Sequence, residues 1–93
     1  MAPLEKYLEH VDKLAQDVVN AWGVNMQAGN GDLLTPDFKA LLDKACRYRT
    51  ARSIADNHRE FNVLSERTAA EEQEARLGFA ETYKTFWEQH QEN

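Results

Sequence analysis

Cysteine, proline and glycine are scarce in this chain, and each scarcity removes a class of structure. A single cysteine among 93 residues, Cys46, excludes a disulfide framework and any cysteine-rich zinc site, and it points to a reducing compartment. Two prolines and four glycines are too few turn residues for an all-β protein, which needs one about every ten positions. No apolar run approaches the ~20 residues of a membrane-spanning helix. Glu5, Lys6, Glu9 and His10 interrupt the place where a signal peptide would carry its apolar core. Gly29-Asn30-Gly31 has neither the spacing nor the preceding strand of a phosphate-binding loop, and no serine-hydrolase elbow is present. The three histidines, His10, His58 and His90, are isolated. Trp87, where a helical metal site would want glutamate, stands three residues before His90. No metal and no cofactor are expected.

What is present is the material of a helical domain. The composition is 42% hydrophobic and 29% charged with nine aromatics, which is globular rather than disordered. Leu4, Leu8, Val11, Ala15, Val18 and Trp22 recur at alternating steps of four and three, with Tyr7, Leu14 and Ala21 in a second row seven apart. This is an amphipathic helix over about 4–26, closed by the Gly29–Asp32 stretch. Thr35-Pro36-Asp37 starts a second helix by capping, by the fixed φ of proline and by charge at the positive end of the dipole. Phe38, Leu41, Leu42 and Ala45 form its apolar face, and the helix is expected over about 36–56. The third helix has two candidate starts, a capping-box-like Asn57 with Glu60 or a better-matched Thr68 with Glu71, and runs to about 90. A start at Asn57 would give a helix of roughly 50 Å, longer than its partners. Either way Ser65–Arg76 is polar almost all round and is expected to be exposed or projecting, while Phe79, Ala80, Tyr83, Phe86 and Trp87 face the core. The fold expected is all-α, a small bundle of three or four helices forming one domain over 1–93. Its core is thin enough for dimerisation to complete it.

Charge alternates along the chain. Residues 1–38 carry six acids and two bases, residues 39–67 four acids and seven bases, and residues 68–93 six acids and two bases. Complementary rims between packed helices are the ordinary explanation, each surface pair contributing under about 1 kcal/mol. The alternative is a binding stripe along Lys44, Arg47, Arg49 and Arg52, four bases with no acid between them. Arg49 and Arg52 also fall, at 100° per residue, near the positions of Leu42 and Leu41. An unpaired guanidinium there is costly. At least one of the two is therefore expected to meet a carboxylate of a flanking helix or to line an anion-binding cleft. Cys46, beside Ala45, is expected to be a buried structural thiol.

The cluster Phe79, Tyr83, Phe86 and Trp87 puts four of the nine aromatics into nine residues. It reads first as core, packed on Trp22 or Tyr7, and otherwise as an aromatic anchor for a partner, with Tyr83 and Trp87 as the contact residues. Trp22 and Phe38 are expected to be buried.

These residues point to a non-enzymatic protein-interaction module, an adaptor, chaperone, inhibitor or regulator that binds another protein or a second copy of itself. The candidate binding residues are Lys44, Arg47, Arg49, Arg52, Tyr83 and Trp87. An arginine-lined anion pocket in a helical dimer, with a ligand or a reaction in it, is the alternative. Nucleic-acid binding through the basic middle helix ranks third, because a chain with a pI near 5.1 repels phosphate at long range. The location expected is cytoplasmic, and size and acidity suit an accessory protein of a bacterium or phage.

Overall fold

The structure is a computed structural model and describes residues 3–27, 29 and 35–91. Among these residues four α-helices and no strands are found: α1 (Leu4–Glu9), α2 (Val11–Gln27), α3 (Pro36–Glu60) and α4 (Glu66–Gln91). The all-α bundle expected from periodicity is what the chain forms. Its outline is a slab, 46 × 33 × 18 Å, in which α3 and α4 pack most extensively, α2 lies on α3, and α1 lies on α4.

The first amphipathic segment is two helices rather than one. The interruption falls at His10, where Arg76 of α4 donates from Nη2 to the Leu8 carbonyl at 2.9 Å. Side chains inserted at a helix carbonyl accompany helix breaks, and the Leu8 carbonyl here accepts a backbone N–H at the cap as well. Arg76 also places a cation at the negative end of α1. The apolar period passes through the break undisturbed, which is why periodicity alone reads one helix.

The start of α3 matches expectation: Thr35 Oγ1 accepts from the Phe38 N–H at 3.1 Å and Pro36 occupies the first turn. The helix runs through Asn57 to Glu60, so the capping-box reading at Asn57 does not hold. Asn62 then adopts φ 56°. The Asn62 N–H donates to Arg59 O at 3.1 Å, and the Val63 N–H donates to His58 O at 2.9 Å. This pair of bonds satisfies the last carbonyls, and asparagine tolerates the left-handed conformation it needs. The helix α4 begins three residues before the Thr68 start, because Ser65 is the cap: its Oγ accepts from the Thr68 N–H at 3.1 Å. Thr68 is the capped residue, not the capping one.

The core comprises Val11, Ala15 and Val18 of α2, Leu41, Ala45 and Tyr48 of α3, and Phe79 of α4. Leu41 and Phe79 are its largest fully enclosed side chains. Alanines at 15 and 45 keep the helices close. Three expectations are corrected here. Trp22 is 39% exposed, and Val24 and Met26 are exposed with it, because the buried cluster stops at Val18 and its half-buried neighbour Val19. Phe38 is half-buried at the edge of the cluster, edge-on to Phe86 at 6.2 Å. Cys46 is exposed, since the buried face of α3 passes through Ala45 and Tyr48 on the other side of the helix.

The polar Ser65–Arg76 stretch is largely exposed, as expected, but one face of it packs on α3. Glu72 within it is only 7% exposed, and its carboxylate receives both terminal nitrogens of Arg59, at 3.0 and 2.8 Å. A polar sequence hides a packed face when its polar groups are partnered across the interface.

Candidate functional site

Lys44, Arg47, Arg49 and Arg52 of α3 do not form one stripe. Lys44 and Arg47 turn toward α4, where they border a shallow depression of about 290 Å³ with Glu71, Glu74, Ala75 and Gly78. Arg47 is also paired with Asp43 at 2.9 Å, both side chains largely in water. Arg49 and Arg52 turn toward α2 and border a depression of about 330 Å³ with Asp12, Gln16, Tyr48, Ser53 and Asp56. Arg49 is exposed. Arg52, half-buried, pairs with Asp12 of α2 and reaches Asp56 at 3.5 Å, meeting the expectation that one of the two arginines finds a carboxylate on a flanking helix.

The Asp12–Tyr48–Arg52 cluster is the most interconnected polar group between α2 and α3. The Tyr48 hydroxyl donates to Asp12 Oδ1, and Arg52 Nη1 donates to the Tyr48 oxygen at 3.4 Å. The hydrogen bond from Arg52 is the main influence holding the Asp12 carboxyl below its ordinary range. Burial, with the adjacent carboxylate, pushes the Tyr48 phenol up. The same contacts raise the Arg52 guanidinium further still. A general acid or base works best with a pKa near the operating pH. Here all three shifts lead away from neutral pH, which suits a cluster that holds charge in place. One helical stretch later, Arg59 repeats the arrangement with Glu72 of α4 and with Asp56 at 2.6 Å.

Sequence periodicity contains the signal for both ties. Arg52 and Arg59 are seven apart and continue the face of Leu41, Ala45 and Tyr48, while Glu72 lies seven before Phe79. A charged residue at a core register position calls for a counter-charge from the facing helix. Which helix supplies it is decided by packing.

Tyr83 and Trp87 belong to a different neighbourhood. Phe79, Tyr83 and Trp87 form a ladder along α4, with centroid separations of 5.9 and 6.3 Å. Tyr7 of α1 closes on Tyr83 at 5.7 Å. Tyr7, rather than Trp22, is thus the first-segment partner of the aromatic cluster. Burial pushes the Tyr83 phenol up, so it stays neutral. The ladder is core at Phe79 and surface at Trp87, which is 43% exposed. Its outer end opens into a groove of about 430 Å³ lined by Lys6, Tyr7, His10, Lys13, Leu14, Tyr83 and Trp87. Lys6, His10 and Lys13 were not among the residues the sequence singled out. At i, i+4 and i+7 they share one face of the first segment, and the packing of this segment against α4 sets that face beside Tyr83 and Trp87.

Among the described residues no three His, Cys, Asp or Glu side chains gather as a metal site, and no helix is long and apolar enough to cross a membrane. Comparisons with protein-family models, with curated proteins and with solved structures gave no match.

Proposed function

We propose that the protein is a non-enzymatic interaction module that engages a partner protein through the Tyr83–Trp87 groove. The observation that carries this reading is the half-exposed Trp87 at the end of a packed aromatic ladder, with lysines beside it. A rigid, partly exposed aromatic presents a large apolar area at low entropic cost, which is the character of an interface anchor. The arginines favour this reading over an anion pocket and over nucleic-acid binding. Arg47, Arg52 and Arg59 are each engaged by carboxylates of the chain itself, and the bases of α3 lie on two sides of the helix. An exposed single thiol, Cys46, suits action in a reducing compartment such as the cytoplasm.

The test is site-specific photo-crosslinking in cells, with a photoreactive residue placed at Trp87 and, as a control, at the exposed Asn57. A discrete protein adduct from position 87 and none from position 57 is expected. Its mass tells a second copy, at twice 10.7 kDa, from another protein. No adduct at 87, or the same adducts from both positions, would overturn the reading.

A further inference from the structure

The groove at Trp87 has one sign of charge in a chain of the other sign. The protein carries 16 acids against 11 bases, yet the residues lining the groove include Lys6, His10 and Lys13 and no carboxylate. Lys13 is partly neutralised by Asp17 at 3.3 Å on the flank, with both side chains well exposed. No ion pair of Lys6 or His10 occurs among the described residues. The floor is apolar and aromatic: Tyr7, Leu14, Tyr83 and Trp87. By contrast, the depressions beside Arg52 and beside Lys44 bring their own acids with them, Asp12 and Asp56 in the first and Glu71 and Glu74 in the second. An apolar floor with a rim that carries Lys6 and His10 without an ion pair, and Lys13 shared with Asp17, is complementary to an apolar anchor flanked by carboxylates.

We infer that the groove takes an acidic amphipathic helix of a partner protein, an inference that rests on the interaction reading above and names its partner class. The spacing of the rim sets the register. Lys6 and Lys13 are seven residues apart in the chain, one on each side of the break between α1 and α2. Carboxylates at positions i and i+7 of a partner helix match that separation, with apolar anchors at i+3 and i+4 between them over Tyr83 and Trp87. A small molecule fits less well. Small-ligand sites bury most of the ligand surface, and this groove is partly open to solvent. The net charge of −5 does not oppose an acidic partner at contact range, because charges more than about 8 Å apart are screened at physiological salt.

The experiment uses the full chain and fluorescein-labelled 14-residue alanine-based peptides with leucine at positions 7 and 8. One peptide carries glutamate at positions 4 and 11, and its control carries lysine there. Binding is read by fluorescence polarisation, and circular dichroism confirms that each protein variant is folded. The glutamate peptide is expected to bind at least tenfold tighter than the lysine peptide. Trp87→Ala should weaken it at least tenfold, and the double variant Lys6→Glu, Lys13→Glu should invert the preference. Equal binding of the two peptides, indifference to Trp87→Ala, or a small aromatic carboxylate that binds as tightly as the glutamate peptide would each overturn the inference. If the peptides fail while the crosslink at Trp87 persists, the partner class is wrong and the interaction surface stands. If the crosslink fails, the surface itself is wrong.

Discussion

The two halves of α3 present one continuous face to the rest of the molecule and fill it with opposite chemistry. From Leu41 through Ala45 to Tyr48 the face is enclosed among Val11, Ala15, Val18 and Phe79. From Arg52 to Arg59 the same register holds guanidinium groups, tied to Asp12 of α2 and Glu72 of α4. The apolar half gains its stability from area and density, which are indifferent to direction. The ionic half gains less per contact, since each charge gives up some water to be paired. It is directional, however, and its two carboxylates come from different neighbours. We therefore read the apolar half as what makes the bundle stable, and the ionic half as what tells α2 and α4 where to sit on α3.

The comparison is most easily broken from the apolar side. Phe79 is fully enclosed, so Phe79→Ala should cost about 3–5 kcal/mol. That is a large part of what a small domain has, and it will show as a collapse of the urea midpoint. A midpoint within a few tenths of a molar of the parent would mean that the core is not organised around this ring.

The ionic half should respond less, and differently. Glu72→Leu alone should lower the urea midpoint by less than Phe79→Ala does, by leaving Arg59 without its bidentate acceptor. Adding Arg59→Met should recover most of that loss, because a hydrophobic pair often replaces an ion pair without penalty. If the double variant is as stable as the parent yet shows poorly dispersed amide spectra, the specificity role is supported. Recovery of both stability and a single ordered state would remove that role.

The turn that returns α4 onto Arg59 depends on a left-handed residue. Asn62→Val should cost about 1–2 kcal/mol, whereas Asn62→Gly should be close to neutral, since only a residue without strain at positive φ suits the stop. Equal effects of the two substitutions, by thermal denaturation, would show that the turn does not constrain the helix pair.

The smallest effect is on pH dependence. Asp12 titrates below its ordinary 3.8, so its contribution is complete above that value and is lost as pH falls through the lower folded-state value. Tyr48 titrates above its ordinary 10.0, so its contribution is complete below pH 10 and is lost as pH rises through the higher folded-state value. With the Asp12 side chain about half exposed, the acid limb should amount to under about 1 kcal/mol. Asp12→Asn should flatten that limb in a series of thermal midpoints from pH 2 to 6. An acid limb unchanged in Asp12→Asn would assign it to other carboxylates.

Much of this was legible in the order of residues, and the failures have physical causes. The Thr35-Pro36-Asp37 start is local chemistry and holds in the structure. The break at His10 does not show in the apolar period, and the Arg76 contact beside it joins residues sixty-eight apart in the chain. The start of α4 was misread by three residues because Ser65 and Thr68 are both competent caps and only their mutual hydrogen bonding separates them. Trp22 continues a perfect stripe and is still exposed, since a stripe states which face would be buried and not whether a helix is there to bury it. The candidate site divides in the same way. Tyr83 and Trp87 were visible as an aromatic cluster, and Tyr7 and Leu14 as a row seven apart, but nothing in the chain order joins the two rows into a groove.

What the sequence determined by itself is the helical class, the Thr35 cap, the apolar registers and the presence of cations at core register positions of α3. These follow from backbone geometry and from the spacing of neighbours within a few turns. What only the tertiary structure decided is pairing: which carboxylate answers Arg52 and which answers Arg59, where the first segment breaks, and which lysines come to stand beside Trp87. Contacts between residues far apart in the chain depend on the angle and offset at which helices pack, and those are set by the whole core at once.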